Sequence, residues 1–208
     1  MEKKISIGLD FDNTIAGYDH LFQQVASLKG WINETKSFSK QQVRDAVRLL
    51  ESGEERWQIL QAEVYGPRMS DAYLTNGFEE FLLRCHQRGA DLCVISHKTQ
   101  HAKFGSKDIN LRNAALRWMN DQGLITRQGP GLHPEAIYFA ETRKEKIAII
   151  SNRKCSYFVD DLIEVLMDAD FPKQTIPIHF SPGDNQKSIW PSPSYKNWQE
   201  VGDAIFQP

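Results

Sequence analysis

Apolar residues follow two rhythms along this chain, and the way the rhythms alternate predicts its architecture. Short, mostly apolar runs, which suit buried strands of a parallel sheet, occur over 5–9, 91–96, 137–140, 155–159 and 175–180. The last run contains Pro177, which predicts a strand at the sheet edge. Between these runs the spacing is helical. Phe78 opens a helix over 78–87 that Gly89 terminates, and Ala114, Ala115, Leu116, Trp118 and Met119 mark another over 111–122. Thr142 and Glu145 have the spacing of a capping box, so a helix starts there and runs to about Ser151. Further helices are predicted over 163–167 and 198–206. Strands alternating with helices predict an α/β fold with a mostly parallel sheet covered on both faces.

One stretch breaks the alternation. From Tyr18 to Gly66 the pattern is helical throughout. Leu21, Phe22, Val25 and Leu28 mark a first helix. Ser39 and Gln42 form a capping box ahead of a second, marked by Val43, Val47, Leu49 and Leu50. Trp57, Leu60 and Val64 mark a third, over 54–65. The predicted organisation is an α/β core of residues 1–16 and 78–208, with a small α-helical insertion over 17–77.

Composition narrows the function without choosing it. A chain of 208 residues has room for one core and such an insertion. A formal net charge of −2 argues against a nucleic acid polymer as partner. No apolar run approaches the length of a membrane span, and the opening residues lack a signal-peptide pattern. Cys85, Cys93 and Cys155 are odd in number and lack metal-ligand spacing, so reduced thiols in the cytoplasm are expected.

Chemistry concentrates at the strand ends. Asp10 and Asp12 follow the first strand, Ser96 ends the second, and Asp160 and Asp161 end the fourth. Lys144 and Lys146 open the helix after the third. Carboxyl ends of parallel strands converge on one edge of the sheet. Two pairs of carboxylates brought together there need a cation between them, and hard oxygen ligands suit Mg²⁺. A lysine and a hydroxyl beside that cation make a pocket for a small anion such as phosphate. Lys144 and Lys146 point to nearly opposite helix faces, so only one reaches the pocket.

The segments Leu9-Asp-Phe-Asp-Asn-Thr14, Val94-Ile-Ser96, Thr142-Arg-Lys-Glu-Lys146 and Phe158-Val-Asp-Asp161 stand in the order of four motifs. In that order the chain resembles the haloacid dehalogenase (HAD) superfamily of phosphohydrolases, over residues 1–16 and 78–182. The resemblance implies a Rossmann-like HAD core, with the helical insertion as a cap that closes over the site. It implies a magnesium-dependent phosphatase acting on a small phosphate ester. Asp10 is then the nucleophile that forms an aspartyl-phosphate, and Asp12 the general acid and base. Ser96, Asn13 and Lys146, favoured over Lys144 by the family's helix-opening lysine, contact the phosphate. Asp10, Asp12 through its carbonyl, Asp160 and Asp161 hold the metal. His97 and Lys98 are candidates for substrate contact, and a solvated loop is the equal alternative. Arg68 and Arg112 are weaker candidates. His20 and His133 are expected in loops, and Trp57 and Trp118 in packing. Competing readings are a phosphomutase using the same acids, a phospho-acceptor domain, and a non-catalytic binding protein.

Overall fold

The computed structural model describes residues 4–33, 38–105, 108–182 and 190–206. These divide into two compact units. The first holds the residues up to Ala16, Leu74–Lys98, and those from Gly123 onward. Its centre is a six-stranded sheet in the order β5-β4-β1-β6-β7-β8. The strands are β1 (Ser6–Leu9), β4 (Asp91–His97), β5 (Ile137–Ala140), β6 (Tyr157–Asp160), β7 (Ile176–Phe180) and β8 (Ser194–Tyr195). Every neighbouring pair is parallel. The five predicted strands are all present. β7 is not outermost, because β8 pairs with His179 and Phe180. Pro177 lies below that pairing, opposite Phe158 alone, where its missing N–H leaves no gap in a ladder.

Two helical layers bury the sheet. α4 (Phe78–Gln87) and α8 (Trp198–Phe206) pack on each other, joined by Arg84 and Asp203 at 2.6 Å. α6 (Arg143–Asn152) packs on β4 and β5, and α7 (Ile163–Leu166) on β6 and β7. Cys93, Ile95, Ile150, Cys155, Phe158, Val165 and Leu166 form one continuous core cluster. Gly8 of β1 lies beneath it. A Cβ there would stand 2.6 Å from the Phe158 ring and 3.0 Å from the Cys155 sulfur, so only glycine fits. The three cysteines are free and buried.

The second unit comprises Gly17–Tyr73 and Thr99–Gln122. It contains α1 (Asp19–Leu28), α2 (Lys40–Arg48), α3 (Gly53–Tyr65) and α5 (Leu111–Asp121). A two-stranded ribbon of β2 (Ala16–Gly17) and β3 (Tyr73–Leu74) carries the chain out of the first unit and back. Both halves of the Ser39 capping box are present. The core here is aromatic, with Phe22 stacked on Trp57 at 5.1 Å and edge-on to Tyr65 at 5.6 Å. Two predicted core residues face water instead: Leu28 (70% exposed), the last residue of α1, and Leu49 (88%), which follows α2 two residues after Val47 and so lies nearly opposite it around the helix axis. The sequence reading placed α5 with the α/β core. Its Trp118 donates to the carbonyl of Ala72 at 3.2 Å, inside the helical unit. Among the described residues no helix is long and apolar enough to cross a membrane.

Candidate active site

The strand order β4-β1-β6 sets three polar strand ends side by side. Register aligns them: Leu9 pairs with Val94 and Val159, so Asp10 emerges beside Asp160, with Ser96 just beyond on the other flank. The Asp10 amide donates to the carbonyl of Val159 at 2.8 Å, which fixes where the chain leaves the sheet. The chain then turns tightly. Ile15 and Ala16 donate back to Phe11, and Asn13 takes a φ of +58°. Asn is among the few side chains that accept this left-handed geometry. The turn is also held from outside: Thr75 donates to the carbonyls of Thr14 (2.7 Å) and Ile15 (3.1 Å). Trp198 of α8 donates in turn to Thr75 at 2.8 Å.

Lys146 supplies the cation. Its backbone amide caps on Thr142, whose hydroxyl accepts from Glu145 at 3.1 Å. The reciprocal carboxylate of the predicted capping box goes instead to the amide of Glu141, one residue earlier. Lys146 is 1% exposed, and its amine donates to Asp10 Oδ1 at 2.5 Å and Asp160 Oδ2 at 2.6 Å. Lys144 is exposed. Burial works against the Lys146 charge, yet the two carboxylates outweigh it and raise its pKa. For Asp10, burial dominates and pushes the carboxyl up to about 7; Lys146 opposes this, while Asp160 and Asp12 add to it.

Asp10, Asp160 and Asp161 bring one oxygen each within 4.8 Å of one another and could hold a metal ion. Lys146 pairs with two of these three acids, Asp10 and Asp160, and a divalent cation would offset the negative charge that remains. Asn13 adds a second sign of fit. Its amide nitrogen lies 3.5 Å from Asp161 Oδ2, and its Oδ1 is buried without a hydrogen-bond partner. Such an acceptor suits a water on a hard cation, and Mg²⁺ keeps several waters. The Asp12 side chain stands outside this group of three, so the expectation that it helps hold the metal is left with its main-chain carbonyl. Its carboxylate accepts from Lys98 at 2.8 Å and lies 3.5 Å from the Ser96 hydroxyl.

Other expected contacts lie elsewhere. His97 projects away from Ser96 and Lys98, with Nε2 3.1 Å from the carbonyl of Glu141. Arg68 pairs with Asp71 and Gln24 inside the helical unit, and His133 caps a short helical turn. Thr14 belongs to the first motif, where it is expected at the turn with Asn13, and one further participant, His179, escaped sequence reasoning. Thr14, fully buried, has its hydroxyl 3.5 Å from Asp10 Oδ2. His179 of β7 lies opposite Asp160, with Nδ1 2.7 Å from the Ser194 hydroxyl; burial lowers its pKa. A polar residue near the end of an apolar strand, the signal used for Ser96, would have marked it.

No protein-family model and no curated protein matches the chain. Solved structures do. A haloacid dehalogenase-like family hydrolase from Streptococcus pneumoniae is similar over 100% of both chains, with a TM-score of 0.64 and 14% identity. A HAD family hydrolase from Deinococcus radiodurans, solved with bound phosphate and sodium, matches 97% of this chain and 95% of its own, with a TM-score of 0.62 and 11% identity. A HAD-superfamily hydrolase from Ehrlichia chaffeensis matches 99% and 97%, with a TM-score of 0.56 and 15% identity. The chain therefore has the fold of the HAD-superfamily hydrolases.

Proposed function

We propose that this protein is a magnesium-dependent phosphatase that hydrolyses a small phosphate monoester through an aspartyl-phosphate on Asp10. The observation that carries this reading is the bridge of Lys146 between Asp10 and Asp160, with Asp12 two residues away and paired to a different strand. One carboxylate is held by Lys146 inside an acidic cluster; the other lies outside that cluster, beside Lys98 and Ser96. The phosphate bound in the Deinococcus radiodurans hydrolase is in keeping with a phosphoryl substrate on this fold.

An oxygen of Asp10 attacks phosphorus, and the bond from phosphorus to the ester oxygen breaks. Asp12 gives its proton to the departing oxygen. Water then attacks the acyl phosphate while Asp12 takes its proton, and inorganic phosphate leaves with Asp10 restored. Lys146 offsets the repulsion between carboxylate and phosphate, and Ser96 offers a hydroxyl to a phosphoryl oxygen. Mg²⁺ held by Asp10, Asp160 and Asp161 supplies further charge neutralisation and orientation when bound.

The test is phosphate release from p-nitrophenyl phosphate, with Mg²⁺ and with chelator, beside an Asp10→Asn variant. Turnover is expected to require the metal and to fall by about 10³-fold or more in the variant. Asp10→Asn turnover at the wild-type rate would remove Asp10 as nucleophile. Transfer to a bound acceptor without free phosphate would replace hydrolysis with a mutase reaction.

A further inference from the structure

We propose that His179 is a positioning residue for the turn of Asp160 and Asp161, linking the acids that would hold the metal to the edge strand β8. This rests on the phosphatase reading and its metal assignment, and gives a residue outside the ligand set a share in metal affinity.

The sheet sets up the contact. β6 ends at Asp160, whose partner in β7 is His179. On its other flank His179 pairs with Ser194 of β8. Asp161 stands one residue past β6, where the ladder to β7 has ended. The His179 ring reaches across that point. It hydrogen-bonds the main chain of Asp161, and its Nδ1 lies 2.7 Å from the Ser194 hydroxyl. A neutral imidazole has one N–H and one bare nitrogen. The N–H suits a main-chain carbonyl, which can only accept, and the bare nitrogen suits the Ser194 O–H. His179 is 6% exposed, and Trp190 lies beside it with ring centres 5.9 Å apart. Packing this close limits rotation of the imidazole, so its two bonds have fixed directions.

Other bonds hold the acids on either side. Asp160 accepts from Lys146 and, at 2.9 Å, from the Leu162 amide. The Asp161 carboxylate lies 3.5 Å from the Asn13 amide nitrogen. His179 acts on the main chain between these anchors. Residues that orient metal ligands without touching the metal are ordinarily worth about 10–100-fold in affinity.

The experiment is Mg²⁺ binding to the metal-free chain by calorimetry at pH 8, beside thermal unfolding in chelator. Wild type is compared with His179→Phe, His179→Gln, Ser194→Ala and Asp161→Asn. His179→Phe keeps a ring against Trp190 and removes both hydrogen bonds, and Mg²⁺ affinity is expected to fall about tenfold. His179→Gln, whose amide both donates and accepts, is expected to stay nearer wild type. Ser194→Ala removes only the outer bond and is expected to weaken Mg²⁺ binding, by less than His179→Phe. A purely structural role would lower the unfolding temperature in chelator and leave the affinity of the folded chain unchanged. Wild-type affinity in His179→Phe, beside a weakened Asp161→Asn, therefore overturns the role of His179. Should the phenylalanine variant fail to fold, Ser194→Ala decides: it changes a partly exposed edge strand, and an affinity equal to wild type overturns the link. A wild-type chain that binds no Mg²⁺, or an Asp161→Asn variant that binds it as tightly as wild type, overturns the metal assignment of the phosphatase reading, and this proposal with it.

Discussion

The central strand carries a lysine–aspartate pair at each end, and the two pairs have the same length. Before β1, Lys4 meets Asp91 at 2.5 Å; after it, Lys146 meets Asp10 at 2.5 Å. The first pair is 60% and 57% exposed, the second 1% and 6%. Distance is therefore a poor guide to what either pair does. Water competes for both partners at the amino end, where such a pair contributes between nothing and about 1 kcal/mol. At the carboxyl end the charges have been stripped of water, at a cost their mutual attraction only partly repays. A fold tolerates that expense where charge has work to do on a substrate.

The sharpest way to break the comparison is to remove each lysine. Lys146→Met strands Asp10 and Asp160 in the interior, and a loss of about 3–5 kcal/mol is expected in urea unfolding with chelator present. A loss under 1 kcal/mol would mean that the two ends are energetically alike.

The second prediction concerns Asp10 alone. Its carboxyl titrates near 7 when folded, against about 3.8 when unfolded. Between these values the folded state holds the extra proton, so stability without metal falls as pH rises through that window and levels off above it. Asp10→Asn removes the decline. Thermal unfolding in chelator should find the variant more stable than wild type at pH 8, with the gap closing toward pH 4. Added Mg²⁺ should stabilise wild type more than the variant. An equal gap at both pH values would contradict the burial argument.

The smallest effect belongs to the amino end. Lys4→Ala should change stability by less than about 1 kcal/mol, and any change should shrink as salt is raised. A salt-independent loss would show that this exposed pair is not set by screened charge alone.

Sequence legibility followed the range of the forces involved. β1, β4, β5, β6 and β7 were readable because each is a short, mostly apolar run, and Asp10, Ser96 and Asp160 because they end such runs. α4 and α8 carried strong helical periodicity. The two-residue strands β2, β3 and β8 are too short to hold a period and exist only through their partners. The burial of Lys98 was hidden for a related reason. In sequence it is a lysine in a polar loop; its counter-charge lies 86 positions earlier. The placing of α5 with the helical unit turns on Trp118 reaching Ala72, 46 positions away, which no local pattern records.

The bond from Trp198 to Thr75, and from Thr75 to the turn after Asp10, has a consequence for how the protein comes into being. Trp198 lies 123 positions downstream of Thr75. During synthesis the first strand and its acids leave the ribosome early, while the helix that braces their turn is still untranslated. Chain growth at about 5–20 residues per second leaves that interval on the order of ten seconds. A nascent chain can thus lay down most of its sheet and still lack the brace for the turn after Asp10. Asp10 and the turn after it are written first and secured late, so a chain stalled before α8 should be compact yet chemically unfinished.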